Sequence, residues 1–271
     1  MSPEIVWFLA GLIAAGLFAG FVGGLFGIGG GAIVVPALYL IFTALGVDEA
    51  VRMHVAVGTS LSTIIATSWR SLTTHRQAGA VDFDVLKKWG PWIMAGAVAG
   101  AMLAGLASTE ALLLVFGFGL LLIALQMGLG AQNWRLFSDL PRAGWRAITA
   151  GGIGLFSALM GIGGGAFGVT VLTLSGRPIH QAVATASGFG AAIALPAALG
   201  YVIVGWGREG LPPWSFGFVS LPGFVVLAAL TAITAPIGAR LAHRLPQQAL
   251  KRAFAVFLAL IALNMLREAF S

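Results

Sequence analysis

The hexapeptide Gly27-Ile28-Gly29-Gly30-Gly31-Ala32 recurs letter for letter as Gly161-Ile162-Gly163-Gly164-Gly165-Ala166, 134 residues further along the chain. Four glycines in five residues make a poor helix, because glycine gives up the most backbone entropy on ordering and costs roughly 1 kcal/mol against alanine. Yet each copy is embedded in a long apolar run, after Gly24-Leu25-Phe26 in one case and Ala158-Leu159-Met160 in the other. A chain that breaks its own apolar helices at two matched places restricts its fold to one that can use both breaks.

The apolar runs identify the solvent. The chain has 271 residues, 59% of them hydrophobic and only 9% charged, where a soluble domain carries about 25% charged residues. Stretches long enough to span a bilayer recur along the whole length, and none alternates with the period of a barrel strand, so the expectation is an all-α polytopic membrane protein. The net charge of +6 is no nucleic-acid signal, because the basic residues sit in short loops between spans, where they set orientation. The absence of cysteine removes disulfides, Fe–S clusters and thiol chemistry. The N-terminus carries Glu4 and no basic residue ahead of a long apolar run, which reads as a first span and not as a cleaved leader.

In order, apolar segments are expected at 5–26, 32–45, 53–69, 89–107 and 111–130, with a polar connection at 70–88. A charged linker at 131–146 separates these from segments at 147–160, 166–175, 180–206, 217–239 and 249–266. The second half retraces the first. His54-Val-Ala-Val-Gly-Thr59-Ser60 aligns with Gln181-Ala-Val-Ala-Thr-Ala186-Ser187, and Gly100-Ala101-Met-Leu-Ala104 with Gly238-Ala239-Arg-Leu-Ala242. The chain is thus a tandem duplication, with an N-terminal membrane repeat at 1–130 and a C-terminal one at 147–271.

Five segments per half is an odd number, so the two halves must insert in opposite directions, giving an inverted-topology repeat. Charge tests this independently. If 70–88 is cytoplasmic, so are 131–146, 176–180 and 240–252, and these hold 12 of the 15 Lys and Arg, as the positive-inside rule requires. Both termini then lie outside. The second segment of each half, about 14 and 10 residues, is short against the roughly 20 needed to cross. The expected architecture is therefore about eight full spans plus short broken or re-entrant segments.

A glycine break inside a membrane exposes the N-terminus of the next helix, whose first N–H groups are unpaired and carry partial positive charge. That is an anion site without a charged side chain. Gly27, Gly29, Gly30, Gly31, Gly161, Gly163, Gly164 and Gly165 are the candidate binding backbone, and Thr59, Ser60 and Ser187, at matched places in the two halves, are candidate hydroxyl donors. The competing account is close helix packing through small-xxx-small spacing, which claims Gly16, Gly20, Gly96 and Gly100 among others. A match to the dinucleotide fingerprint G-x-G-x-x-A is a decoy, since neither copy has room for a strand–helix–strand unit. His54 and His180 stand at the starts of their segments, as interfacial residues with a gating role in view. A His180–Ser187 hydrolytic pair fails on spacing, because seven residues are about 10 Å along a helix. None of the nine acidic residues lies well inside a span, which disfavours a buried carboxylate proton relay. No cofactor, metal or enzymatic role is assigned.

With the duplicated Gly-Ile-Gly-Gly-Gly, the Gly58-Thr59-Ser60 match and Gly238-Ala239-Arg240-Leu241-Ala242 in place, the chain resembles the TauE/SafE family of sulfite and organosulfonate exporters, from about Gly20 to Leu266. The resemblance implies transport of a small sulfur-containing anion such as sulfite or a sulfonate. The reading is an alternating-access secondary transporter in the cell membrane, its partners the anionic substrate, the lipid bilayer and, where flux is coupled, a proton or sodium ion. An anion channel on the same scaffold and a non-transporting membrane scaffold are the alternatives.

Overall fold

The computed structural model describes residues 3–26, 30–129, 139–141, 143–242 and 247–270. They form α1 (Pro3–Phe26), α2 (Gly31–Ala44), α3 (Glu49–Gln77), α4 (Phe83–Leu106) and α5 (Thr109–Leu129) in the first half. The second half is α6 (Ala143–Met160), α7 (Gly165–Leu174), α8 (Ile179–Val204), a hairpin of β1 (Ser215–Phe216) and β2 (Val219–Ser220), α9 (Leu221–Ala242) and α10 (Gln247–Ala269). Most of the linker expected at 131–146 lies outside the described residues.

Five helices per half appear as the apolar segments predict, with two differences. The helix expected to end at residue 69 runs on to Gln77, so the connection between α3 and α4 shrinks to 78–82. Hydropathy dropped those last turns because they carry Arg70, Thr73, Thr74, His75 and Arg76, residues that helices tolerate but lipid does not. The helix stops where Gly79 turns to φ +66° and Ala80 N–H bonds the His75 carbonyl at 3.1 Å, a left-handed C-terminal cap. The second difference is the hairpin at 215–220, which precedes α9 where a continuous span had been expected from 217.

Four described helices, including α4, α5 and α8, are long and apolar enough to cross a membrane by composition. The 29-residue α3 is long enough but too polar for that criterion. α2 and α7 have 14 and 10 residues, about 21 and 15 Å, too short to cross alone.

Each half holds the other. α1 packs along α9 and α6 along α4, while α3 meets α8 and α5 meets α10, so exchanging the halves returns the same set of pairs. Glycines make the long pairings possible. A Cβ on Gly20 would strike the Thr231 backbone, one on Gly96 the Gly151 backbone, and one on Gly100 the carbonyl of Leu155, the close backbone approach of small-residue helix contacts in membranes. The stacked Trp89 and Phe189 rings, 6.0 Å apart, tie α4 to α8, and the Tyr201 hydroxyl bonds the Ala158 carbonyl at 3.2 Å, tying α8 to α6.

The loops separate into two groups. At one end, Asp82, Asp84, Lys88, Asp139, Arg146 and Arg177 surround a mixed-charge cleft of about 300 Å³. At the other, the Thr109 hydroxyl bonds the Glu49 carbonyl at 2.7 Å, Arg208 reaches the Gly105 carbonyl at 3.4 Å, and Gly210 lies against Asp48.

Candidate binding cavity at the glycine breaks

Helix starts in this chain come in two kinds. At four starts a side chain caps the helix: Asp48 accepts from Ala50 N–H at 2.9 Å, Asp82 from Val85 N–H at 3.1 Å, Ser108 from Ala111 N–H at 3.3 Å and Ser220 from Gly223 N–H at 3.3 Å. At the breaks, the residue before α2 is Gly30 (φ +61°) and before α7 is Gly164 (φ +67°), and no side chain caps either helix. Left-handed backbone of this kind is cheap only for glycine. The N–H groups of Gly165 and Ala166 have no hydrogen-bond partner among the described residues, so the start of α7 keeps its donors and its positive dipole end.

The two breaks touch. A Cβ on Gly31 would stand 2.5 Å from the Gly161 carbonyl oxygen and 3.1 Å from the Ile162 Cα. The same carbonyl accepts the Ser60 hydroxyl at 2.8 Å. Beside this junction lies a cavity of about 580 Å³ between α1, α2, α3, α9 and the α7–α8 region. Gly30, Gly31 and Ser60 line it from the first half, and Gly163, Gly165 and Ser187 from the second. Gly27 and Gly29 lie outside the described residues. Gly161 and Gly164 shape the junction without lining the cavity: one carries the carbonyl that Ser60 holds, the other packs on Ile193.

Thr59, buried one residue from Ser60, is turned away from the cavity and accepts the Ser220 N–H at 2.9 Å, so it anchors the hairpin. His54 is also buried outside the lining. Its Nε2 lies 2.9 Å from the Ala104 carbonyl and 3.2 Å from that of Ala107, and its ring packs 4.8 Å from Phe218. It thus ties α3 to the end of α4 beneath the hairpin. His180 is exposed at the start of α8 and likewise outside the lining.

The residues that sequence reasoning missed are on the two extra turns of α3. The helix presents Ser60, Thr63, Thr67, Ser71 and Thr74 to the cavity, then Arg70 and His75. Steps of three and four residues make one continuous stripe, and that recurrence past residue 69 was the available signal. Burial falls along it: Ser60 is fully buried, Thr67 half-buried, Arg70 and Thr74 exposed. The cavity therefore closes at the glycine junction and opens at the C-terminal end of α3. At the closed end, Phe218 of the hairpin packs over Gly58.

Most of the lining hydroxyls are already committed as donors. Thr63 gives its proton to the Thr59 carbonyl at 3.0 Å, Thr74 to that of Arg70 at 3.0 Å and Ser187 to that of Ala184 at 2.6 Å, so they present lone pairs to the cavity. Ser60 is likewise committed to Gly161. Ser60 and Ser187 were expected as donors to an anion; the Ser187 proton goes to a carbonyl of its own helix, as is common for helical serine and threonine, and that of Ser60 to the facing break.

A family model described as sulfite exporter TauE/SafE matches residues 12–265. The chain is 31% identical over 253 residues to a probable membrane transporter protein of Haemophilus influenzae, covering 93% of this chain and 96% of that one. It is 27% identical over 271 residues to a probable membrane transporter protein of Methanocaldococcus jannaschii, covering 97% of each. No solved structure matches.

Proposed function

The chain belongs to the sulfite exporter TauE/SafE family, and we propose that it is a secondary transporter that carries a small sulfur oxyanion out of the cell by alternating access. The cavity carries this reading. It lies where the two breaks meet, both halves line it, and no acidic residue is among its described lining residues. The uncapped start of α7 contributes unpaired N–H groups to an anion seated there.

Three observations support the alternating-access part. The helix pairing unchanged by exchange of halves is what two oppositely inserted repeats produce. The loop groups are those that opposite insertion assigns to opposite faces, and the positive-inside rule makes the Arg146–Arg177 end cytoplasmic and puts both termini outside. The cavity is open at one end of α3 and covered by the hairpin at the other, the state of a carrier facing inward. Flux is driven by the anion's own gradient or by a coupled proton or sodium ion. A non-transporting scaffold leaves the matched glycine breaks, and the cavity both halves line beside them, unexplained.

Within the sulfur anions, the dimensions favour an organosulfonate over bare sulfite. About 580 Å³ is the size of a small-molecule site, and much of its wall is apolar, with Ala19, Val34, Val183, Ala186 and Ala232. A sulfonate head at the glycine junction leaves this wall for the organic part.

Purified protein in liposomes tests the reading by counterflow of sulfite and of methanesulfonate. Saturable, protein-dependent counterflow is expected, and a leucine at Ser187 or Gly163 should abolish it. Absence of flux for both anions sinks the proposal, and a non-saturating conductance replaces the carrier with a channel.

A further inference from the structure

We infer that Arg70 is the residue that admits anions to the cavity and sets its charge selectivity. The assignment rests on the anion-transport reading for its use, but its physical content, a positive potential inside the cavity, can be measured without flux.

Arg70 is the one permanently charged residue among the described lining residues. Its guanidinium has no hydrogen bond or ion pair among the described residues; only its backbone carbonyl is used, by Thr73 and Thr74. Four other cations near this end are placed elsewhere. Arg76 lies over the Phe83 ring at 5.9 Å, and Lys88, Arg146 and Arg177 share their cleft with Asp82, Asp84 and Asp139, outside the cavity. If Arg70 served only to orient the protein in the bilayer, its position on the cavity-facing stripe would be incidental.

The stripe needs such a charge. Thr63 and Thr74 on the stripe, and Ser187 on α8, face the cavity with lone pairs, because they donate to helix carbonyls, and lone pairs repel an anion. Between the mouth and the glycine junction, about 15 Å below along the axis, Arg70 is the side chain that makes the entrance favourable. A cleft with low-dielectric walls focuses the field of one charge, which raises the local concentration and entry rate of the opposite ion by tenfold or more. Arginine holds that charge at every physiological pH.

The chain lacks cysteine, so a single introduced thiol reports on the cavity alone. Thr67→Cys sits on the stripe about one turn deeper than Arg70, and its modification by an anionic and by a cationic methanethiosulfonate reagent is followed in reconstituted protein. With Arg70 present the anionic reagent is favoured. Arg70→Gln lowers the anionic-to-cationic rate ratio about tenfold, Arg70→Lys keeps most of it, and raising the salt to 1 M lowers the ratio in the Arg70 protein but not in Arg70→Gln. Arg76→Gln leaves it unchanged. A ratio that does not move in Arg70→Gln, or that falls as far in Arg76→Gln, overturns the assignment. Because a ratio is read, a change in thiol reactivity common to both reagents cancels. In the counterflow assay Arg70→Gln raises the half-saturating methanesulfonate concentration by the same factor. Wild-type protein that moves no anion but keeps the rate ratio overturns the transport reading alone.

Discussion

The Ser60 hydroxyl donates to the Gly161 carbonyl across 2.8 Å, joining two residues 101 positions apart. It is the hydrogen bond by which a hydroxyl of one half satisfies the break of the other. The carbonyl belongs to a glycine at φ +67°, bent out of α6, and without Ser60 it would be buried in apolar surroundings with no donor.

Ser60→Ala should therefore lower stability by about 1–3 kcal/mol, the cost of orphaning a buried acceptor. Ser187→Ala removes only a bond to Ala184 on the same helix from a half-buried position, and should cost a few tenths of a kcal/mol at most. Thermal unfolding of the two variants in detergent checks the difference. Equal midpoints would mean that the contact between the breaks contributes nothing.

Gly31→Ala and Gly163→Ala should separate under a second substitution. A methyl at Gly163 stands 2.8 Å from Ile64 Cγ2, a side-chain atom, whereas one at Gly31 stands 2.5 Å from a backbone oxygen. Ile64→Ala clears the first and cannot clear the second. We expect it to restore at least half of the stability lost in Gly163→Ala and none of that lost in Gly31→Ala, read by the same melts.

The hairpin gives a third prediction. Thr59→Val keeps the shape of the side chain but removes the acceptor for the Ser220 N–H. Loss of that bond, worth about 1.4 kcal/mol, corresponds to tenfold faster amide exchange. Hydrogen exchange over residues 218–223 should show the change, while the α5 amides should not respond.

A fourth concerns pH. Burial holds the His75 imidazole below its usual range, so at pH 7 it is neutral and, among the described lining residues, Arg70 alone carries charge. Protonation, which this lowering moves to more acidic pH than for a free imidazole, adds a second positive charge at the mouth. The half-saturating concentration of methanesulfonate, an anion throughout this range, should fall between pH 7 and 5, and His75→Gln should flatten the profile. A rise on acidification in the wild type would contradict this placement of the charge.

The two breaks, the ten helices and the glycine-mediated contacts were legible because backbone entropy and small-residue spacing act locally and leave their mark in the letters. Gly20, Gly96 and Gly100 needed only the spacing rule to be assigned to helix contacts. The end of α3 was not legible by hydropathy, which measures fitness for lipid, whereas this helix turns Thr67, Arg70 and Thr74 to an aqueous cavity. The hairpin escaped because strands of two residues have no period to detect. Thr59 and Ser60 read as equivalent neighbours, yet a rotation of about 100° around the helix separates a hairpin anchor from a cavity wall. That distinction depends on which neighbours α3 meets, and no local pattern encodes it.

The pairing of α1 with α9 has a consequence for how the chain is made. α1 ends at Phe26 and α9 begins at Leu221, so at 5–20 residues per second the ribosome needs roughly 10–40 s to deliver the partner. For that interval the glycine-lined face of α1 is in the bilayer without the surface it was shaped for. The seating of α1 thus waits until the second half is nearly complete, and a chain truncated before α9 would leave its first helix without its long-range partner.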